Sequence, residues 1–243
     1  MPIGRVVVAL ATLLLATGCT RVTDGAARPA PGMAPRPLSG QAVNRVLLDD
    51  GELSKMLDQP FKTDPDSPPR FGGIELLTDG SASPRECAAA AEELPKSVFQ
   101  GSRVRQVAKE SWWNAAPYDE NPRVISVHEA VVALPTAAAA DPLFAKFTEQ
   151  WRQCDGTTVS MNDGYFTMAI SDVSDANSVV AAAVGVHGST TVPNAHAVGV
   201  RVNCLVEVRV AFFGLEPGST ADADKTVAVN IAHRMMDKIS ESS

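Results

Sequence analysis

Residues 198–212 read Val198-Gly199-Val200-Arg201-Val202-Asn203-Cys204-Leu205-Val206-Glu207-Val208-Arg209-Val210-Ala211-Phe212. One alternate set (Val198, Val200, Val202, Cys204, Val206, Val208, Val210, Phe212) is wholly apolar, and the other is mixed. A period of two puts each set on its own side of an extended chain, so the stretch predicts one long strand with a buried face. Cys204 falls in the middle of that face, where a free thiol behaves as a small hydrophobe. The other side, with Arg201, Asn203, Glu207 and Arg209, reads as the solvated face of an antiparallel sheet or as a cleft wall.

Outward from this strand, residues 103–113, 123–134, 157–161, 164–173 and 178–187 also read as strands, and Pro193-Asn194 as a turn. Short helices are expected at 53–57 and at 87–94, the latter stopped by Pro95. A longer helix is expected to start with Asp141 as cap and Pro142 at its first position, burying Leu143, Phe147, Trp151 and Cys154. A last helix over 220–240 has Ala228, Ala232, Met235 and Ile239 on one face. Asp222 and Asp224 lie in its first turn, where the helix dipole favours acids. Residues 62–85, with Pro65, Pro68, Pro69 and Gly80, read as loop. Mixed helices and strands joined by short turns predict an α+β fold, an antiparallel sheet with helices packed on it, as a single domain over 41–243.

The N-terminus is of another kind. Arg5 precedes a short apolar run that ends in Leu15-Ala16-Thr17-Gly18-Cys19. One positive charge and an apolar run too short to span a bilayer mark a secretory signal peptide over 1–18. The final residues resemble the bacterial lipobox, which implies lipidation of Cys19 and anchoring to the extracytoplasmic face of the cell membrane. Ala16, where that pattern prefers Leu, is a mild departure. The segment 19–40 contains Pro29, Pro31, Pro35 and Pro37 and reads as a disordered tether.

Loss of Cys19 to lipid leaves Cys87, Cys154 and Cys204. Outside the cytoplasm a pair is expected to oxidise. Three pairings are open in principle; with Cys204 on a buried strand face and the other two at helix ends, Cys87–Cys154 is the expected bridge. The 21 basic against 28 acidic residues (net charge −7) leave no basic cluster legible along the chain. This argues against nucleic acid and against electrostatic attraction to anionic lipid heads.

Catalytic and metal motifs are scarce. His128-Glu129 lacks the second His of the zincin pattern, since Val132 stands at that spacing. No nucleophile elbow, phosphate-cradling loop or short ligand pair appears, so no catalytic residue, metal or cofactor is expected. Glu129 stands among Ile125, Val127, Val131 and Ala133 on one strand face, and reads as a pocket carboxylate or as half of a sheet-edge ion pair. Trp112, Trp113 and Tyr118 cluster where a strand runs into a loop holding Pro117 and Pro122. Neighbours on a strand face opposite ways, so at most one Trp is expected fully in the core; the other lines a cleft, or a bulge packs both in the core.

Several stretches together carry a family likeness: Leu47-Leu48-Asp49-Asp50-Gly51-Glu52-Leu53, Pro84-Arg85-Glu86-Cys87-Ala88, Ser97-Val98-Phe99-Gln100-Gly101-Ser102, and Trp151-Arg152-Gln153-Cys154. With the Val-rich strand before a terminal helix, they resemble the extracellular sensor domain of mycobacterial PknH-type receptor kinases, over about residues 42–240. The resemblance implies helices on one side of an antiparallel sheet and a ligand-binding cleft. It also implies two disulfides, of which Cys87 and Cys154 match the first; the second would join positions near His196 and Phe213, and neither is Cys. The functional expectation is a non-catalytic envelope lipoprotein that binds a small-molecule, lipid or glycan ligand, with Trp112, Trp113, Tyr118, Glu129, Arg201 and Arg209 as site candidates. The alternative is an interaction module that docks on envelope proteins or on kinase sensor domains.

Overall fold

The computed structural model describes residues 35–214 and 221–243, without the side chains of 119 and 221–223. The expected signal peptide, Cys19 and most of the tether lie outside the described residues. The elements run α1 (Gln41–Asn44), α2 (Asp50–Leu57), β1 (Phe61–Thr63), β2 (Arg70–Gly72), α3 (Ala88–Ala91), α4 (Lys96–Phe99), β3 (Gln106–Asn114), β4 (Val124–Ala133), α5 (Ala137–Gln153), β5 (Thr158–Met161), β6 (Phe166–Ala176), β7 (Val179–His187), β8 (Thr191–Arg201), β9 (Cys204–Phe212) and α6 (Ala221–Ser242). The strands make one antiparallel sheet in the order β1-β3-β4-β9-β8-β7-β6-β5, with β2 paired to β3 as well.

Helices cover both faces of this sheet rather than one. On one side Phe99, Phe147 and Trp151 pack on Val107, Val132, Val198 and Leu205. The Cys87–Cys154 disulfide ties the start of α3 to the end of α5 on that side. On the other side Val43, Leu53, Ile231 and Met235 pack on Val131, Val206, Val208 and Val210. Both faces are therefore apolar, as a sheet sandwiched between helices requires. The helix α2 starts with a capping box between Asp49 and Glu52. Glu52 also meets Arg234 and Lys238, both at 2.7 Å, and so fastens α2 to α6.

The long strand expected over 198–212 is a hairpin. Residues 202 and 203 form a two-residue turn, and Arg201 pairs with Cys204. Each step inward then pairs an even position with an odd one, so the apolar stripe divides between faces. Val198 and Val200 share a face with Leu205, Glu207 and Arg209, whereas Cys204, Val206, Val208 and Val210 lie on the other. The apolar alternation runs unbroken through the turn in sequence because both faces are apolar: the even positions pack on one face before the turn and on the other after it. Asn203 makes the turn worth its strain: Val202 adopts φ 54°, unfavourable for a β-branched residue. The fully buried Asn203 amide accepts from Leu38 N–H (2.7 Å) and donates to the carbonyls of Leu38 (3.0 Å) and Leu134 (2.6 Å).

Other boundaries moved for local reasons. α5 begins at Ala137 behind Thr136, four residues ahead of Asp141, because the run of alanines already forms its first turn and Pro142 lies inside the helix. Pro193 and Asn194 continue β8 rather than turning, paired with Gly185 and Val184. The predicted loop at 62–85 contains most of β1 and all of β2, short pieces lying end to end on the outer edge of β3. Asp224 is buried against Arg123 (2.6 Å) rather than serving as a solvated first-turn acid, and the Asp222 side chain lies outside the described residues.

Candidate ligand groove

At the end of β3 the chain alternates as a strand must. Trp112 turns into the core shared with α6 (6 % exposed), and Trp113 emerges on the opposite face (41 % exposed). The loop after β3 is braced at both ends. Asn114 bonds its own loop through the N–H and C=O of Ala116, each at 3.0 Å. Buried Gln59 reaches Asn114 (3.0 Å) and both backbone groups of Val124 (2.9 Å each). The loop therefore holds Tyr118 against Phe213 in an edge-to-face stack 5.7 Å between centroids.

The result is a groove of about 740 Å³. Trp113, Tyr118, Ile125 and Phe213 form its apolar wall, and Lys62, Asp64, Asp66 and Asn114 its polar one. Burial alone would raise the pKa of Asp64. The N–H groups of Asp66 and Ser67, the Trp113 indole and the charge of His128 more than offset that, so its carboxylate sits below the usual range.

Beside the groove, sharing Asp66, lies a more polar depression of about 400 Å³ with Arg70, Glu93, Lys109, Ser111 and His128 on its walls. Burial opposes ionisation of Glu93, yet His128, Lys109 and Arg209 together bring its carboxyl down to about 2. Ser111 Oγ lies 3.1 Å from His128 Nδ1, and Glu93 Oε2 lies 3.7 Å from that same nitrogen. A serine–histidine–acid relay needs its serine and acid on opposite ring nitrogens, so this trio is not wired as one.

The six site candidates separate. Trp113 and Tyr118 line the groove. Arg209 lies on the groove's face of the sheet, where its charge acts on Glu93. Trp112 and Glu129 belong to the opposite face. Glu129 is buried, accepts one hydrogen bond from Leu48 N–H (3.1 Å), and is pushed up to about 8 chiefly by burial. The Trp112 indole favours the ionised carboxylate less than burial opposes it, and among the described residues Glu129 Oε1 makes no hydrogen bond of normal geometry. Glu129 is thus neither a groove carboxylate nor an edge ion pair; it caps Leu48 inside the core. Arg201 stands at the other end of the sheet, one residue from the hairpin turn. The presumed solvated wall of Glu207 and Arg209 in fact lies under α3–α5. There Glu207 meets His196 Nε2 (2.9 Å), and Leu94 N–H approaches both carboxyl oxygens (3.2 and 3.3 Å). Sequence reading missed Phe213, Asp64 and Glu93. Phe213 continues the β9 alternation by one residue, but the two acids sit in irregular segments that no periodicity marks.

Among the described residues no helix is long and apolar enough to cross a membrane. No curated protein matches the chain. In fold it is similar to the crystal structure of the extracellular domain of PknH from Mycobacterium tuberculosis: TM-score 0.67, 18% identity, 85% of this chain and 98% of that one covered. A structure of an uncharacterized protein from Mycobacterium smegmatis is more distant, with TM-score 0.39, 10% identity and coverage of 82% and 96%, and carries no argument. The family model of the PknH-like extracellular domain matches residues 38–238. The chain therefore belongs to the family of PknH-like extracellular domains.

Proposed function

We propose that this chain is a lipid-anchored, extracytoplasmic sensor-type binding protein without catalytic activity, and that the groove at Trp113 takes its ligand. The half-exposed Trp113 ring, which lines the groove together with Asp64 and Asn114, carries this reading. A rigid aromatic face beside fixed hydrogen-bonding groups suits a molecule with one apolar face and several hydroxyl or amide groups, a glycan or glycolipid headgroup in class. The lipobox-like end at Cys19 supports the anchor.

Native mass spectrometry of the protein released gently from its host membrane tests the groove. The expected result is a co-purifying glycan or glycolipid mass that Trp113→Ala removes. A ligand-free spectrum for both proteins would shift the reading to a docking module for another envelope protein. Detergent partitioning of Cys19→Ala tests the anchor: the variant should leave the detergent phase or stay unprocessed, and identical partitioning without acyl mass on the wild type would exclude lipidation.

A further inference from the structure

Arginines scattered along the sequence converge where the chain enters the fold. Because Asn203 holds Leu38 on both its N–H and its C=O, the Pro-rich segment meets the sheet at the end marked by the β8–β9 turn. There one backbone row crosses four strands. Arg105 N–H donates to Ala133 O (2.9 Å), Ala133 pairs with Cys204, and Cys204 pairs with Arg201. Three strand spacings put the two arginine backbones roughly 14 Å apart. Arg36 lies two residues ahead of Leu38, and Arg103 shares a depression beside Leu134 with Lys146.

Arg36, Arg103, Arg105 and Arg201 are all exposed. Among the described residues none of the four stands in an ion pair, whereas Lys96, Lys109, Arg123, Arg152, Arg234 and Lys238 all do. Asp141, next to Pro142 on the rim of the same depression, is the acid closest in sequence to it. The groove end exposes Asp58, Asp66 and Glu120 together with Lys62 and Arg70, a mixed set. In a chain of net charge −7 the tethered end thus gathers four exposed arginines, against the exposed Asp237 and Glu241 at the end of α6, whose Met236 packs on Gly199. The four are not neighbours in the chain, so no basic cluster is legible along the sequence.

We propose that this end is a docking face for an anionic phospholipid surface, namely the membrane to which the tether leads. The proposal rests on the anchored reading only for which surface is near; the attraction itself needs no acyl chain. Each basic group close to an anionic bilayer strengthens partitioning by about fivefold at ordinary salt. The groove lies at the opposite end of the strands from Arg201, so docking through this end turns the groove outward.

The test uses the chain from Thr20 onward, which keeps every described element but lacks Cys19, sedimented with vesicles of phosphatidylglycerol and phosphatidylcholine or of phosphatidylcholine alone. The expected result is salt-sensitive binding to the anionic vesicles only, weakened at least roughly tenfold by Arg103→Glu/Arg105→Glu/Arg201→Glu and little changed by Lys55→Glu/Arg85→Glu. Matching melting temperatures show that the variants fold. No binding to anionic vesicles, or equal losses in both variants, would overturn the proposal. Retention on a soluble polyanion without vesicle binding would assign the face to an acidic polymer and overturn it too. Partitioning of Cys19→Ala reports on the anchor independently.

Discussion

His196 Nε2 and Glu207 Oε1 stand 2.9 Å apart on neighbouring strands, with both side chains buried. His196 Nδ1 lies 3.0 Å from the carbonyl of Ala90, which only accepts, so this nitrogen carries a hydrogen. A second proton must then lie between Nε2 and the carboxyl, whichever group owns it. The pair links β8 and β9 to α3, and His196 also packs on Trp151 at 4.6 Å. Glu207→Ala leaves His196 and Leu94 N–H without their acceptor and should cost about 3–5 kcal/mol in urea unfolding. Glu207→Gln still offers an oxygen to Leu94 and an N–H to an unprotonated Nε2, and should cost clearly less. Equal losses would mean that the carboxyl group itself holds the site, and neither the bulk nor the hydrogen-bonding pattern that Gln keeps.

Glu129 gives stability a slope with pH. Its folded value of about 8 lies above its ordinary 4.5, so the native state holds a proton that the unfolded state has lost. The contribution is fully present below pH 4.5 and is lost as pH rises toward 8, on the order of a few kcal/mol. Glu129→Gln keeps an oxygen for Leu48 N–H and should flatten that slope, leaving the variant the more stable protein at pH 8. Glu93 acts oppositely: depressed to about 2, it contributes above its ordinary 4.5 and is lost as pH falls through 2. Chemical denaturation of both proteins at pH 5, 6.5 and 8 isolates Glu129, because the Glu93 contribution changes only below about pH 4.5.

The two tryptophans should part company. Trp112→Ala empties a core site and should cost about 3–5 kcal/mol. Trp113→Ala should leave the melting temperature nearly unchanged, and should remove the red-shifted, iodide-quenchable part of the fluorescence. A large stability loss in Trp113→Ala would place that ring in the core and remove the groove's aromatic wall.

Cys204 should resist thiol reagents in the native protein, because burial pushes its thiol up to about 12. In the chain from Thr20 onward, one thiol should titrate on unfolding without reductant. Reduction of Cys87–Cys154, which are 67 residues apart, should cost about 4 kcal/mol by loop entropy. Peptide mapping that found Cys204 in a disulfide would contradict the structure's assignment of faces.

Where burial was uniform, the sequence was readable. The apolar alternation of β4 and of 204–212, the stripe of α5 and the opposed Trp112 and Trp113 all express a local period, and the fold class follows from them. What escaped depended on partners distant in sequence. The 202–203 turn carries no glycine and is held by an amide reaching Leu38 and Leu134. Glu207 looked solvated until α3 and α5 covered it, and Glu129 looked like a pocket acid until α2 did. Half of the groove was legible, as Trp113 and Tyr118, because aromatics in a Pro-bounded loop are a local signal; Asp64 and Phe213 join them only through strand pairing.

The Cys87–Cys154 bond encloses β3, β4 and the exposed loop around Tyr118 within a single covalent ring. A protease that nicks this loop, the most accessible part of the groove, yields two pieces that sulfur still joins. Such a clipped molecule keeps its mass on a nonreducing gel and stays attached wherever its N-terminal half is held, while the new chain ends free one wall of the groove. Damage at the groove would thus go unseen by any assay of abundance, and would register only in binding, or as two bands once reductant is added.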